Sequence, residues 1–196
     1  MSIPKKDVKH IIREVVTESA SVKQRLVEQQ SDIIFDISQS ISKALSKGGT
    51  VYFFGNGGSA ADAQHVAAEF VGRFSRERRA LPAEALTTNT SILTAVGNDY
   101  DFSEVFSRQV KAKVRPRDVV VGISTSGKSG NVINGLKAAK EIGAKTIGFT
   151  GDRPNLMGKF SDICLCIPSK STPRIQESHI LVWHIISEIV ERSISK

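Results

Sequence analysis

The chain has 196 residues, of which 40% are hydrophobic, and a formal net charge of +7. This length can bury about 70% of the surface exposed in the unfolded chain, which is enough for one core, and the composition excludes a disordered chain. No apolar run approaches the ~20 residues of a membrane span, and the N-terminus has no secretion signal. We therefore expect one soluble, cytoplasmic domain over residues 1–196.

The positive charge comes from 27 Lys and Arg residues that are spread along the chain. Two modest clusters lie at residues 73–79 and 111–117, and no nucleic-acid-binding motif accompanies them. They indicate a solvated surface or, alternatively, a positive field that attracts an anionic substrate. We expect neither a nucleic acid nor a membrane as a partner.

The N-terminal region shows apolar residues at helical spacing between residues 5 and 47. This spacing is interrupted near residues 29–32, so the sequence predicts two helices. The second should end where Lys47 is followed by Gly48 and Gly49. Residues 1–47 contain no functional motif, and we assign them to packing and assembly in front of an α/β core over residues 48–196.

Five short apolar runs follow, separated by segments long enough for crossover helices. They are residues 50–55, 82–87, 118–124, 145–151 and 162–168. Such continuous runs are typical of parallel strands that are buried on both faces, and they predict a three-layer α/β/α sandwich. Residues 174–194 are apolar around most of a helix, which predicts a buried helix that packs against another subunit.

The only two cysteines, Cys164 and Cys166, would lie on one face of the last strand. We expect free, buried thiols that pack as small hydrophobic groups. A strained disulfide is not expected, and neither is a metal site, because no second Cys or His pair lies nearby.

In open α/β sheets, ligands bind beyond the carboxyl ends of the strands. Two loops stand out at such positions. The first contains Asn56, Gly57, Gly58 and Ser59, where glycines and a helix N-terminus favour an anion. The second, "GISTSGKSGNV", places Ser124, Thr125, Ser126 and Ser129 around Gly127. Helix capping would explain one or two of these hydroxyls, whereas phosphate binding would use all four.

Neither the dinucleotide motif GxGxxG nor the P-loop motif GxxxxGK[ST] occurs, so a small phosphorylated metabolite is favoured over a nucleotide. His65 and Glu69 lie four residues apart on one helix, and Gln176 and His184 lie eight apart on the last helix. These side chains suit a site for zinc or a comparable divalent ion and equally an acid/base pair, although His184 could also be a hydrogen-bonded core residue. His10 and His179 are interpreted as structural or exposed.

Four segments, "GNGGSAADAQHVAAEF", "LTAVGNDYDFSEVFSRQV", "GISTSGKSGNV" and "RIQESHILVWH", occur in this order. They resemble the sedoheptulose 7-phosphate isomerase (phosphoheptose isomerase) family of the sugar-isomerase, or SIS, fold, from about residue 45 onwards. The resemblance implies a flavodoxin-like, five-stranded parallel sheet. It also implies an isomerisation of sedoheptulose 7-phosphate through an enediol, at the start of ADP-heptose synthesis for the lipopolysaccharide core.

The resemblance assigns roles to individual residues. Sugar phosphate would be bound by Asn56, Gly57, Gly58, Ser59, Glu69, Asn98, Asp99, Ser124, Thr125, Ser126, Ser129 and Gln176. One zinc ion would be held by His65, Glu69, Gln176 and His184, and Glu69 and His184 would form the acid/base pair. The family forms homotetramers with active sites between subunits, so we expect Glu69 and His184 to meet across a subunit boundary.

This sequence departs from the family at Lys128, where the family often has Asn, and at Gly130. Both positions lie in the hydroxyl-rich loop, so they affect its charge and shape. A non-catalytic SIS protein, either a phosphosugar-binding regulator or an adaptor of the replication initiator, is the alternative. An adaptor relative lacks the carboxylate and the final histidine, whereas both Glu69 and His184 are present here.

Overall fold

Five parallel strands form one sheet in a computed structural model that describes residues 3–152 and 156–194. The strands are β1 (Val51–Gly55), β2 (Ala83–Ala85), β3 (Val119–Ile123), β4 (Lys145–Thr150) and β5 (Ile163–Cys166). Their order is β2-β1-β3-β4-β5, which is the flavodoxin-like order. Each strand lies within one of the five predicted apolar runs.

Helices cover both faces of the sheet. They are α1 (Lys5–Ser46), α2 (Gly58–Val71), α3 (Thr90–Asp99), α4 (Ser107–Lys113), α5 (Gly130–Ile142) and α6 (Thr172–Ile194). Helices α1, α2 and α6 pack on one face, and α4 and α5 pack on the other. The predicted three-layer sandwich is therefore confirmed.

Side chains alternate between two hydrophobic cores along β1. Val51 and Phe53 belong to the core under α1, α2 and α6, whereas Tyr52 and Phe54 belong to the core under α4 and α5. Successive side chains of a strand point to opposite faces, so a strand covered on both sides is apolar throughout. This burial explains the continuous apolar runs in the sequence.

The prediction of two N-terminal helices is wrong, because α1 is one helix of 42 residues. Its buried side chains include Leu26 and Ile34, and Gln30 lies between them on the same side of the helix. The Gln30 side-chain oxygen accepts a hydrogen bond from the Cys166 N–H of β5 at 3.3 Å. A polar contact to the edge strand thus interrupts the apolar spacing without interrupting the helix.

Helix α6 is buried or half-buried along most of its length, as predicted, and within this chain it packs between α1 and α2. Trp183 is fully buried, and its ring stacks on Phe149 with centroids 4.3 Å apart. His179 is also fully buried, with its Nε2 3.1 Å from the Thr150 carbonyl oxygen. Burial lowers the pKa of His179 to about 4, so a structural role is supported.

Both cysteines are free and half-buried on β5, which confirms the free thiols and corrects the expected full burial. β5 is the edge strand of the sheet, so its outer side is covered only in part. Among the described helices, none has the length and apolar character to cross a bilayer.

Candidate active site

The loops that follow β1 and β3 are joined by a pair of asparagines. Asn56 and Asn131 donate to each other through their side-chain amides, and both N···O distances are 2.9 Å. Asn131 Oδ1 also accepts from the Val132 N–H at the start of α5. Asn56, predicted to bind substrate, thus holds the two loops together. Asn131 lies in the segment "GISTSGKSGNV" but was not among the predicted site residues.

The hydroxyl-rich loop forms a small polar network at the end of β3. Ser124 Oγ lies 2.9 Å from Ser129 Oγ and 3.4 Å from Ser126 Oγ. Ser129 is the N-cap residue of α5, yet its side chain makes no capping hydrogen bond. Capping therefore does not account for the Ser129 hydroxyl, whereas Ser124 Oγ and Ser126 Oγ accept from the loop N–H groups of Gly127 and Lys128. Phosphate binding by these hydroxyls stays a prediction. Lys128 is exposed beside them.

Helices α2 and α6 run parallel, so residues further along α2 contact residues further along α6. Gly58 lies against Gln176, His65 against His184, and Glu69 against Ser187. At Gly58, an added Cβ would lie 1.9 Å from Gln176 Nε2. Gly57 has a positive φ of 55° at the N-cap of α2. The two glycines thus serve different purposes, Gly57 for the backbone turn and Gly58 for the close approach of Gln176.

We expect Gly58→Ala to weaken substrate binding with little loss of stability. The Cβ collides with the end of a flexible side chain, so the Gln176 amide moves while the helix remains. The KM of Gly58→Ala, Gln176→Ala and the double variant checks this in a double-mutant cycle. If the two single effects on KM simply add, Gly58 does not act through Gln176.

Three predicted site residues converge on one point. His65 Nε2 lies 3.1 Å from Glu69 Oε1, His184 Nε2 lies 3.4 Å from the same oxygen, and the two Nε2 atoms are 3.3 Å apart. The Glu69 side chain is only 12% exposed, whereas those of His65 and His184 are 54% and 40% exposed. The cluster is therefore open to solvent on the histidine side.

The three ligand atoms fit a tetrahedral zinc ion. Zinc bonds to His nitrogen and carboxylate oxygen of about 2.0–2.2 Å place tetrahedral ligand atoms about 3.4 Å apart. The nearly equilateral triangle of His65, Glu69 and His184 has this size, and two imidazoles with one carboxylate form a ligand set of catalytic zinc sites. Such a triangle leaves the fourth position for Gln176, substrate or water.

The expectation that Glu69 and His184 meet across a subunit boundary is wrong, since they meet within one chain. The parallel packing of α2 and α6 is the reason, because it brings both side chains to one side of a single subunit. Gln176 lies two turns before His184 on α6 and contacts Gly58. Its role as zinc ligand stays a prediction.

Asn98 and Asp99 lie exposed at the end of α3, where Asn98 Nδ2 donates to Asp99 Oδ1 at 2.9 Å. Within the described ranges, no hydrogen bond connects them to the cluster of His65, Glu69 and His184. Their predicted contact with substrate stays a prediction.

Ser187 contacts the site cluster, and Asp62 lies about one turn before His65 on α2, but neither was among the predicted site residues. Ser187 Oγ donates to Glu69 Oε2 at 3.0 Å, so the two carboxylate oxygens have separate partners. Asp62 is 9% exposed, and its Oδ2 has no hydrogen-bond partner among the described residues. Ser187 follows His184 by three residues on α6, and Asp62 precedes His65 by three on α2. This helical spacing was the available signal.

We expect Asp62→Asn to stabilise the metal-free protein at pH 8 and not at pH 4. Burial raises the pKa of Asp62 to about 6, opposed in part by the charge of His65. The unfolded carboxyl ionises near 3.8, so native stability from this group is lost as pH rises from about 4 to 6, at a cost of up to about 3 kcal/mol.

Urea unfolding in the presence of a chelator, at both pH values, measures this difference. Asp36→Asn, at an exposed position of α1, is the matched control. A gain of the same size at pH 4 and pH 8 would contradict the assigned cause.

Known proteins of one family are similar to this chain over most of its length. The SIS domain family matches residues 16–151. Phosphoheptose isomerase from Roseiflexus sp. (strain RS-1) is 50% identical over 194 residues, which cover 99% of this chain and 98% of that protein. The structure of phosphoheptose isomerase GmhA from Neisseria gonorrhoeae is 40% identical with a TM-score of 0.89, covering 94% of this chain and 99% of that one. That of a phosphoheptose isomerase from Francisella tularensis is 32% identical with a TM-score of 0.91, covering 94% and 98%.

The sheet is flavodoxin-like, and polar loops lie at the carboxyl ends of β1 and β3. Together with the domain match, these features define an SIS-domain protein of the sugar isomerase class. The similarity to the isomerases extends over nearly the whole of both chains. The chain belongs to the phosphoheptose isomerase family.

Proposed function

We propose that the chain converts D-sedoheptulose 7-phosphate to D-glycero-D-manno-heptose 7-phosphate through an enediol. The observation that carries the proposal is the distance of 3.4 Å between Glu69 Oε1 and His184 Nε2 on helices that start beside the hydroxyl-rich loop. An aldose-ketose isomerisation needs a base that moves a proton between neighbouring carbons and a donor to the oxygens.

Glu69 is the proposed base and His184 the proposed donor to oxygen. Oε1 faces the two histidines and would be the zinc ligand, so Oε2, which accepts from Ser187, is the oxygen left to act as base. The carboxylate thereby has a defined orientation, which a base needs if it is to remove a proton from one carbon and return it to the next. Imidazole suits His184 because a ring N–H can donate a hydrogen bond to a substrate oxygen.

The phosphate group is proposed to bind at Ser124, Thr125, Ser126 and Ser129, close to the N-terminus of α5. Three of these hydroxyls already point at one another. Thr125 lies against the start of α6, because its carbonyl accepts from Gly151 N–H and Gly151 packs on Ile175. Anchoring a phosphate here fixes the sugar relative to α2 and α6. Asn98 and Asp99 are proposed to contact the same substrate.

A zinc ion is the proposed cofactor, held by His65, Glu69, Gln176 and His184. When bound, it would polarise the substrate carbonyl as a Lewis acid. The size of the ligand triangle supports this metal.

We further propose a homotetramer in the cytoplasm with active sites at subunit interfaces, in the pathway to ADP-heptose for the lipopolysaccharide core. Five apolar side chains form an exposed stripe at helical spacing on the first turns of α1, namely Val8, Ile11, Ile12, Val15 and Val16. An exposed apolar stripe of this kind supports burial against other copies of the chain.

A substrate panel tests the function. The purified protein is incubated in deuterated water with sedoheptulose 7-phosphate, fructose 6-phosphate or ribulose 5-phosphate. We expect turnover of the heptulose, with deuterium at C2 of the aldose product. Preference for a shorter phosphosugar would change the substrate assignment. Binding of phosphosugars without turnover of any would instead favour the non-catalytic regulator or adaptor.

A further inference from the structure

The loop of residues 72–79, which follows α2, is attached to α6 by one buried carboxylate. Glu191 of α6 is 1% exposed. Its Oε1 accepts from the Phe74 N–H at 3.0 Å, and its Oε2 accepts from the N–H groups of Ser75 and Arg76 at 2.9 and 2.8 Å. Burial alone would raise the pKa of Glu191, but these hydrogen bonds hold it below its usual range. The carboxylate is therefore charged and fully engaged.

Arg78 lies at the end of this loop and joins Glu191 to α2. Its Nε lies 3.2 Å from Glu191 Oε1, and the two side chains are 4% and 1% exposed. Its Nη2 donates to the Glu69 carbonyl oxygen at 2.7 Å, and its Nη1 donates to that of Phe70 at 2.9 Å. These carbonyls lie in the last turn of α2, where the backbone C=O groups have no N–H partner within the helix. One guanidinium thus satisfies the end of α2 and binds α6.

The same loop reaches the site cluster directly. Phe74, whose N–H is held by Glu191, stacks on the His184 ring with centroids 5.7 Å apart and an interplanar angle of 28°. Arg78 holds the backbone of Glu69. The two proposed catalytic residues are therefore both restrained by contacts near the C-terminal ends of α2 and α6.

Stability alone does not explain such a pair. Desolvating two charges offsets most of their attraction, and well-packed apolar residues often replace a buried ion pair without loss of stability. A charged fork does differ from apolar packing in one respect, because it defines direction and distance for several hydrogen bonds at once. Catalytic side chains need this accuracy, since they must be held to within about 0.5 Å.

We propose that Arg78 and Glu191 are positioning residues of the isomerase site, which set the spacing between Glu69 on α2 and His184 on α6. The inference rests on the proposed function for its kinetic consequence. Its structural consequence, the geometry of the cluster of His65, Glu69 and His184, does not depend on which sugar is turned over.

Two variants test the proposal. Glu191→Gln keeps the volume but loses the charge, and Arg78→Lys keeps the charge but loses the fork to the α2 carbonyls. We expect each variant to lower kcat and zinc affinity by about ten- to a hundredfold, which is the usual effect of losing a hydrogen bond that supports a metal ligand. KM should change less than about threefold. Zinc affinity is measured by competition with a chelator, and folding by thermal unfolding.

The imidazole ¹⁵N NMR signals distinguish a positioning role from a merely structural one, because a structural role would leave the His184 signals unchanged. The chain has four histidines, so single substitutions assign their ¹⁵N signals. We expect the His184 signals to shift in both variants while those of His179, on the sheet side of α6, stay unchanged. The matched control is Glu188→Gln, which removes an exposed ion pair with Arg192 on the same helix and should behave as the parent.

Parent-like kcat, zinc affinity and His184 signals in a folded variant would overturn the proposal. Arg78→Lys retains the charge opposite Glu191, so it keeps the test available if Glu191→Gln does not fold. If the parent itself fails to isomerise sedoheptulose 7-phosphate, the proposed function fails, while zinc affinity and the His184 signals still decide the positioning role.

Discussion

Glu69→Gln is expected to lower kcat by at least about a thousandfold while phosphosugar binding is retained. The amide has the size of the carboxylate, and its oxygen can still accept from Ser187, so the packing of α2 on α6 should persist. An amide cannot accept the substrate proton, and loss of a general base typically costs about 10²–10⁴-fold in rate. Loss of a charged ligand from the same cluster adds to this effect.

Rates are measured with zinc in excess, so that weaker metal binding does not account for the whole loss. Substrate binding is measured by calorimetry. Glu141→Gln, at an exposed position of α5, is the matched control. Activity equal to the parent would exclude Glu69 as the base.

Removal of metal is expected to have the second largest effect, a loss of kcat of at least about a thousandfold that added zinc restores. In the metal-free protein the substrate carbonyl loses its proposed Lewis acid and keeps only the proposed hydrogen bond from His184, so the negative charge that develops on oxygen is stabilised less. Global stability should change little when free zinc is near or below its Kd, since a ligand stabilises the native state by RT ln(1 + [L]/Kd).

Metal content and activity are measured on the same samples after dialysis against a chelator. Zinc and magnesium are then added back separately. Magnesium is the control because it prefers oxygen ligands in octahedral geometry, and His65 and His184 offer nitrogen. Full activity in protein with less than about 0.1 metal ion per chain would contradict a role of zinc in turnover.

Local patterns were sufficient to predict the strands and most of the candidate site. Glycines and hydroxyls after β1 and β3, and histidines at helical spacing from a carboxylate and an amide, are short-range features that appear directly in the chain. Each depends on neighbours within one loop or one helix. This is also why Gln30 misled the prediction for α1, since its partner on β5 is 136 residues away.

Contacts between segments that are distant in the chain could not be predicted from the sequence. Arg78 lies in a basic stretch that suggests a solvated surface, and Glu191 is one acidic residue near the end of an apolar helix. Only when α2 and α6 pack in parallel do these two become a buried pair, 113 positions apart in the chain. The same packing explains why Glu69 and His184 contact each other within one chain and not across the predicted subunit boundary.

Sequence alone therefore predicted the strands of the sheet, a phosphorylated ligand and the chemical groups at hand, because hydrophobic periodicity and loop chemistry are properties of adjacent residues. The tertiary structure decided which helices are neighbours, in which direction they run and which charges are hidden from water. Those outcomes depend on how two cores fill on either side of the sheet, and no single segment contains that information.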